Sequence, residues 1–300
     1  MIILFIAFIG RIIAKCAKYF IIGFIALCFL CGCSSKEAAT SPAEDIKYAE
    51  LHEEFFFQIR PDIDSIGTNM EYNIQYFADV RGDAALTAKM NQTIIDSVFF
   101  GYHTSTVFTH SDVLPAGFTE MSDITDIVKM HALTFHTFAL LDEGWEGLYH
   151  IVEAEMDEDW CYYPWFGCME TQFLEPYKNY LSYGIDSYEY TDGAHGNEYY
   201  VPVVFNLETG DVVKIEDIVP AENMERLIEL LGEATYSNNP EDSEYHESIG
   251  YDSDELPLYF TIDSYGITWY TQPYEYGPWV IPFALTWDQL RGVVFDELLP

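Results

Sequence analysis

An α+β fold is predicted for this chain of 300 residues, an antiparallel sheet with helices packed on one side, in two closely associated subdomains. Three observations predict it. Period-two stretches such as Tyr72, Ile74, Tyr76 and Tyr199, Val201, Val203, Phe205 read as half-buried strands. Other stretches change to a helical period, with apolar residues three and four apart. Turn residues that tolerate or require positive φ, such as Asp192, Gly193, Gly196 and Asn197, separate the strand-like runs. Roughly 260 residues beyond the N-terminal leader are enough to bury a substantial core, and no internal repeat points to a solenoid.

Residues 1–32 contain Arg11, Lys15 and Lys18 but no acid, and their apolar run ends at Leu30-Cys31-Gly32-Cys33. A basic stretch, an apolar stretch and a small residue before a cysteine read as a lipoprotein signal peptide, with Cys33 as the lipidated residue. Cys28 and Cys31 follow leucines, which are poor cleavage residues. The same run, at about 20 apolar residues, would also suffice for a permanent transmembrane helix. Residues 33–48 are mostly small and polar and read as a flexible tether. The expected location is the cell envelope, outside the cytoplasm and anchored to the membrane.

The N-terminal α+β subdomain is expected over residues 49–198. Residues 54–59 and 71–77 are two early strands broken by Pro61. Asp83 is a plausible N-cap for a helix to Phe99, with Leu86, Met90, Ile94 and Val98 on one stripe. A second helix opens near Ser122, burying Ile124, Val128, His131, Leu133, Phe135 and Phe138, and ends by Gly144. Residues 147–156 are a strand candidate. The aromatic stretch from Trp160 to Phe173 and a strand over 179–183 follow.

The C-terminal subdomain is expected over residues 199–300. The strand after the glycine-rich turn runs into a second turn, Asn206 to Gly210, and a strand from Asp211 to Ile215. A helix follows Pro220, with Met224, Leu227, Ile228 and Leu231 at helical spacing. Residues 258–262 and 266–270 form a hairpin across Asp263-Ser264-Tyr265, a further strand reaches Leu285, and Trp287 to Leu299 reads as an amphipathic helix.

Several of these segments carry a family resemblance. Tyr188-Glu-Tyr-Thr-Asp-Gly-Ala-His-Gly196, Phe205-Asn-Leu-Glu-Thr-Gly210, Ile215-Glu-Asp-Ile218 and Tyr274-Glu-Tyr-Gly-Pro278 occur in that order. They resemble the signature of the outer domain of RsiV-type anti-sigma factors, also found as the non-catalytic part of PdaC-type peptidoglycan deacetylases and in stand-alone lipoproteins. The family's usual pair of glycines is here Asp192-Gly193. The resemblance implies a domain with no assigned enzymatic activity and no cofactor. Its implied ligand is lysozyme or a peptidoglycan-related glycan.

The formal net charge is −37, which argues against nucleic acid as a partner, because its backbone would be repelled. It favours a cationic partner, a basic protein such as lysozyme, a basic peptide or divalent ions, or serves solubility alone. Cys161 and Cys168 are expected to form a disulfide, the commoner use of a cysteine pair outside the cytoplasm. In the signature turn, Asp192, Gly193, Ala194, His195 and Gly196, the histidine suggests metal binding or proton transfer, or a hydrogen bond that holds two strands together. His131 and His136 are five apart and share no helical face, so they are not a zinc pair. Trp160, Tyr162, Tyr163, Trp165 and Phe166 are a candidate ligand surface, able to stack on sugars or anchor a protein, or else to cover the core. No metal site and no catalytic residue is expected, and an envelope hydrolase acting on peptidoglycan or another glycan is the alternative to a binding module.

Overall fold

The computed structural model describes residues 45–58, 66–100, 124–141, 162–191, 196–236, 249–251, 253, 255–273, 275 and 280–300. The chain is α+β, as expected. Strands β1 (Ile46–Gln58) and β2 (Ile66–Val80) form a long antiparallel hairpin. Helices α1 (Ala84–Phe100) and α2 (Ile124–Leu141) follow. Strands β3 (Tyr162–Phe173), β4 (Tyr180–Thr191), β5 (Asn197–Tyr200) and β6 (Val203–Asn206) complete a six-stranded sheet, ordered β1-β2-β3-β4-β5 with β6 also on β4. Beyond it lie α3 (Met224–Glu233), the short pair β7 (Thr235–Tyr236) and β8 (Ile249–Gly250), and a three-stranded sheet of β9 (Tyr259–Ile262), β10 (Gly266–Thr271) and β11 (Ile281–Thr286). Strand β1 begins at Ile46, inside the stretch expected to be tether. Among the described residues no helix is long and apolar enough to cross a membrane.

The large sheet is mixed. Strand β3 runs parallel to β2, while the remaining pairs are antiparallel. Parallel neighbours need a crossover, and the chain between β2 and β3 contains α1 and α2. Both helices lie on one face, because the Tyr72 ring meets Phe99 of α1 at 6.5 Å and His131 of α2 at 5.7 Å. Asp83 caps α1 as its sequence predicts, its Oδ1 accepting from the backbone N–H groups of Ala85 and Leu86. Asn91 then ties the helix to β2, accepting from the Phe77 N–H at 2.9 Å and donating to the Phe77 carbonyl at 2.8 Å.

On α2, Leu133 departs from the expected buried stripe; Val128, His131 and Phe135 keep to it, and Ile124 is half-buried. Ile127, Val128, His131, Ala132, Phe135 and Ala139 are buried, whereas Leu133 is 46% exposed. Leu133 is two positions from His131, about 200° round the helix, so it turns outward. His131 is fully buried and shares a 2.7 Å hydrogen bond between its Nδ1 and the Tyr72 hydroxyl. Burial lowers its pKa to about 3.

Strand β4 holds the two halves of the molecule together. Tyr183 pairs with Val203 and Asp186 with Tyr200, three residues further along each strand, so β5 and β6 form one continuous hairpin with β4. Only Pro202, which has no N–H, interrupts it. Val201 keeps the register by donating to the Ile185 carbonyl. On one face, Leu181, Tyr183, Ile185, Val201, Val203 and Phe205 join the core under α1 and α2. On the other, Val204 joins a second core with Trp269, Phe283, Leu285 and α3 residues Leu227, Leu230 and Leu231. The Ser182 hydroxyl stitches the seam, donating to the Ile262 carbonyl at 3.0 Å and accepting the Ile262 N–H at 2.9 Å.

Two expected elements are replaced by turns. The strand from Asp211 to Ile215 reduces to one bridge, Phe205 to Val212, before a 3-10 turn at Ile215–Asp217. Asn206 Oδ1 accepts the N–H groups of Glu208 and Thr209, closing a turn that Gly210 completes at φ +69. The expected helix from Trp287 to Leu299 is a series of turns ending in a 3-10 turn at Asp296–Leu298. Gly292 at φ +73 breaks any helix there, yet Trp287, Leu290, Val293, Val294 and Leu298 still bury their side chains. Signature hairpin residues 192–195, the loop over 103–118, the strand candidate over 147–156, Ser122 and Gly144 lie outside the described residues.

Ser182→Ala removes both partners of a buried N–H and carbonyl and is expected to cost about 1–3 kcal/mol, read as a lower urea midpoint. His131 sets an acid limit. The unfolded histidine titrates near 6.5 and the folded one near 3, so the unfolded chain takes up a proton that the fold refuses. Stability is expected to fall as pH drops from about 6.5 towards 3, measured as the thermal midpoint across a pH series.

Candidate functional site

The face of the large sheet turned away from α1 and α2 carries an unusual arrangement of acids and aromatic rings. Alternation places it there: if Tyr72, Met169, Ser187 and Tyr199 face the helices, their neighbours face outward. Two rows cross the strands in register. Glu71, Cys168, Tyr188 and Glu198 lie side by side on β2 to β5, and Asn73, Glu170, Asp186 and Tyr200 form the adjacent row. A third row holds Asn69, Phe166 and Tyr190.

Like charges directly opposed across strands are destabilising, and Glu170 stands opposite Asp186. Burial, then the charges of Glu198 and Glu170, raises the Asp186 carboxyl to about 7. The Asp186 side chain keeps contact with solvent, with both of these glutamates on neighbouring strands. Asn73 relieves part of the repulsion, donating its Nδ2 to Glu170 at 3.5 Å while its Oδ1 meets His52 Nδ1 at 2.5 Å. Across β1 to β5 the one Lys or Arg is Lys47, engaged by Asp79 at 3.4 Å.

The rings form a platform beside the acids. Phe166 lies 5.3 Å from Tyr190, stacked, and 5.7 Å from Tyr188. Gly196, the last signature residue, lies against Tyr188, where an added Cβ would come within 2.4 Å of the ring. Here a glycine is required by contact rather than by φ. Asp192, Gly193, Ala194 and His195 lie outside the described residues. At the other end of the row Tyr200 meets Tyr270 of the small sheet at 4.6 Å, and Gln272 donates to the Tyr200 carbonyl at 2.8 Å. Burial raises both of these tyrosine hydroxyls above their usual range.

The aromatic stretch expected as one surface divides. Trp165 turns to the helix side, 5.3 Å from Phe135, while Phe166 faces outward. Tyr162 and Tyr163 open β3; Trp160 and Cys161 lie outside the described residues. Cys168 is half-buried between Glu71 and Tyr188. Sequence reasoning missed Glu189, which alternation sends inward, where it is 3% exposed and its charge helps raise the Tyr72 hydroxyl after burial itself. The even and odd positions of β4 were its available signal. Among the described residues no three His, Cys, Asp or Glu side chains converge to hold a metal ion.

This geometry defines a two-core α+β domain with an acidic, tyrosine-lined sheet face. Its structural neighbours are DUF3298 family proteins. The chain is similar to a member of that family from Bacteroides fragilis, with a TM-score of 0.61 at 19% identity over 84% of this chain and 94% of that one. A DUF3298 family protein from Pseudomonas aeruginosa aligns over 86% of this chain and 99% of its own, at 11% identity and a TM-score of 0.49. The Bacteroides likeness establishes a shared fold. No protein-family model matches the sequence, and no curated protein matches it.

Asp186→Asn tests the crowding. A carboxyl near 4 in the unfolded chain and near 7 in the fold favours the folded state below pH 4 and loses that advantage as pH rises to 7. The variant is therefore expected to gain roughly a few degrees of thermal midpoint at pH 8 relative to its own difference at pH 4, checked by calorimetry at both.

Proposed function

We propose that this protein is a non-catalytic binding module of the cell envelope, anchored through a lipid on Cys33, which takes a basic protein on its acidic sheet face. The observation that carries this reading is the pair of rows with Glu71, Glu170, Asp186 and Glu198 beside the rings of Phe166, Tyr188 and Tyr190. Four carboxylates gathered in register, with the one lysine of β1 to β5 already engaged, favour a cationic ligand. Half-buried aromatic rings next to them supply contact area at low entropic cost. Lysozyme, the ligand implied by the signature resemblance, is basic and fits that chemistry better than a neutral glycan does. The hydrolase reading draws on His195, outside the described residues.

Calorimetric titration of lysozyme into the purified chain is the direct test. Binding is expected at low salt, weakening by about tenfold or more between 20 and 500 mM, because charge pairing on a surface is screened. Glu170→Lys with Glu198→Lys is expected to weaken it by a similar factor, and Phe166→Ser to weaken it with less salt dependence. Absence of binding at low salt, or binding indifferent to charge reversal, would sink the reading. Binding of peptidoglycan fragments instead would move the ligand from protein to glycan.

A further inference from the structure

Strand β1 is one edge of the large sheet, and among the described residues it pairs with β2 alone. Its Ile46 to Glu54 stretch holds neither proline nor glycine, so the second row of backbone N–H and C=O groups along that stretch is a template for another strand. Two open grooves meet this edge at Ala49. One, of about 310 Å³, is walled by Tyr48, Glu50, Gln75, Phe173 and Leu174. The other, of about 620 Å³, lies between the β1–β2 hairpin and α1, against Tyr76, Phe77, Ala88 and Ile95. Ala49 lines both. Tyr48 and Glu50 point to the face opposite Ala49, so the grooves open on opposite faces of the sheet.

That pairing matches what an added strand presents, since its successive side chains also point to opposite faces. We propose that the Ile46 to Glu54 stretch of β1 is a strand-addition site for an extended segment of another protein, with a short apolar centre flanked by basic residues. Main-chain bonds to the edge would supply affinity, and the two grooves would select the side chains opposite Ala49. Both grooves are lined mainly by apolar and aromatic side chains, and each holds one acid, Glu50 in the first and Asp79 in the second.

Charge decides between occupants. β1 carries Glu50, Glu53 and Glu54 against one cation, Lys47, which Asp79 already engages. A second copy of β1 would bring three more carboxylates and a single lysine to this edge, and gathered like charges are destabilising. A basic segment reverses the sign of those contacts. The site goes beyond the binding surface proposed above, which lies on the outward face of β2 to β5, and either can fail without the other.

The probe is a fluorescein-labelled nonapeptide, Lys-Lys-Lys-Val-Leu-Val-Lys-Lys-Lys, titrated with the full chain by fluorescence polarisation. Two derivatives are N-methylated on odd-numbered or on even-numbered backbone amides. In an antiparallel ladder only alternate residues bond to a given neighbour. One derivative is therefore expected to lose at least about tenfold in affinity while the other binds like the parent. Glu50→Lys with Glu54→Lys is expected to weaken the parent by about tenfold, and Glu225→Lys, on the exposed side of α3, to leave it unchanged. Equal affinity of the two methylated peptides would reduce the binding to general charge attraction and overturn the proposal, as would no binding of the parent.

Discussion

The molecule depends on one hairpin being apolar on both faces. Adjacent residues Val204 and Phe205 are 2% and 0% exposed, yet they belong to different cores, because successive side chains of a strand point in opposite directions. Neither core closes without this hairpin. The cost is that a polar residue on either side of it must find a partner within the protein. Ser182 does so by serving as donor and acceptor to one residue of the opposing sheet. Subdomain membership is therefore a property of faces, and a boundary drawn between residues 198 and 199 separates side chains, Ile185 and Val201 among them, that share one core.

Local elements were legible in the sequence wherever a short-range physical rule governs them. Asp83 caps α1 since its carboxylate reaches two free N–H groups just ahead of it, and the Asp263 turn joins β9 to β10 because its Oδ1 reaches the N–H groups of Tyr265 and Gly266. Partner choice was less legible. Nothing in the period of β2 or β3 states that they run parallel, since both read as ordinary half-polar strands. The last segment misled for a different reason: apolar residues three and four apart serve successive turns as well as a helix, and Gly292 decides in favour of turns. For the candidate site, sequence gave the aromatic residues but not their division, because the face taken by Trp165 and Phe166 follows from a register fixed by the neighbouring strands.

Acid and aromatic side chains are distributed by the same alternation. Inward positions of β3 and β4 feed the core beneath the helices, and outward positions collect the carboxylates in register. A chain this acidic would place acids on any exposed surface. The distinctive point is their concentration on strands that carry almost no compensating cation, beside rings held by Gly196 and Phe166. Solubility alone requires net charge but not that registration.

The parallel contact between β2 and β3 also has a consequence for how the chain reaches this shape. Asn73 and Glu170 are 97 residues apart, while the hairpins on either side of that seam close over short spans. Each half of the large sheet can assemble from local contacts. Joining them must wait until both helices and the intervening chain have been drawn in, at the entropic cost of closing a long loop. By this entropy argument the middle of the finished sheet is its latest seam to form, and until it closes each hairpin presents one strand, β2 or β3, with an open edge.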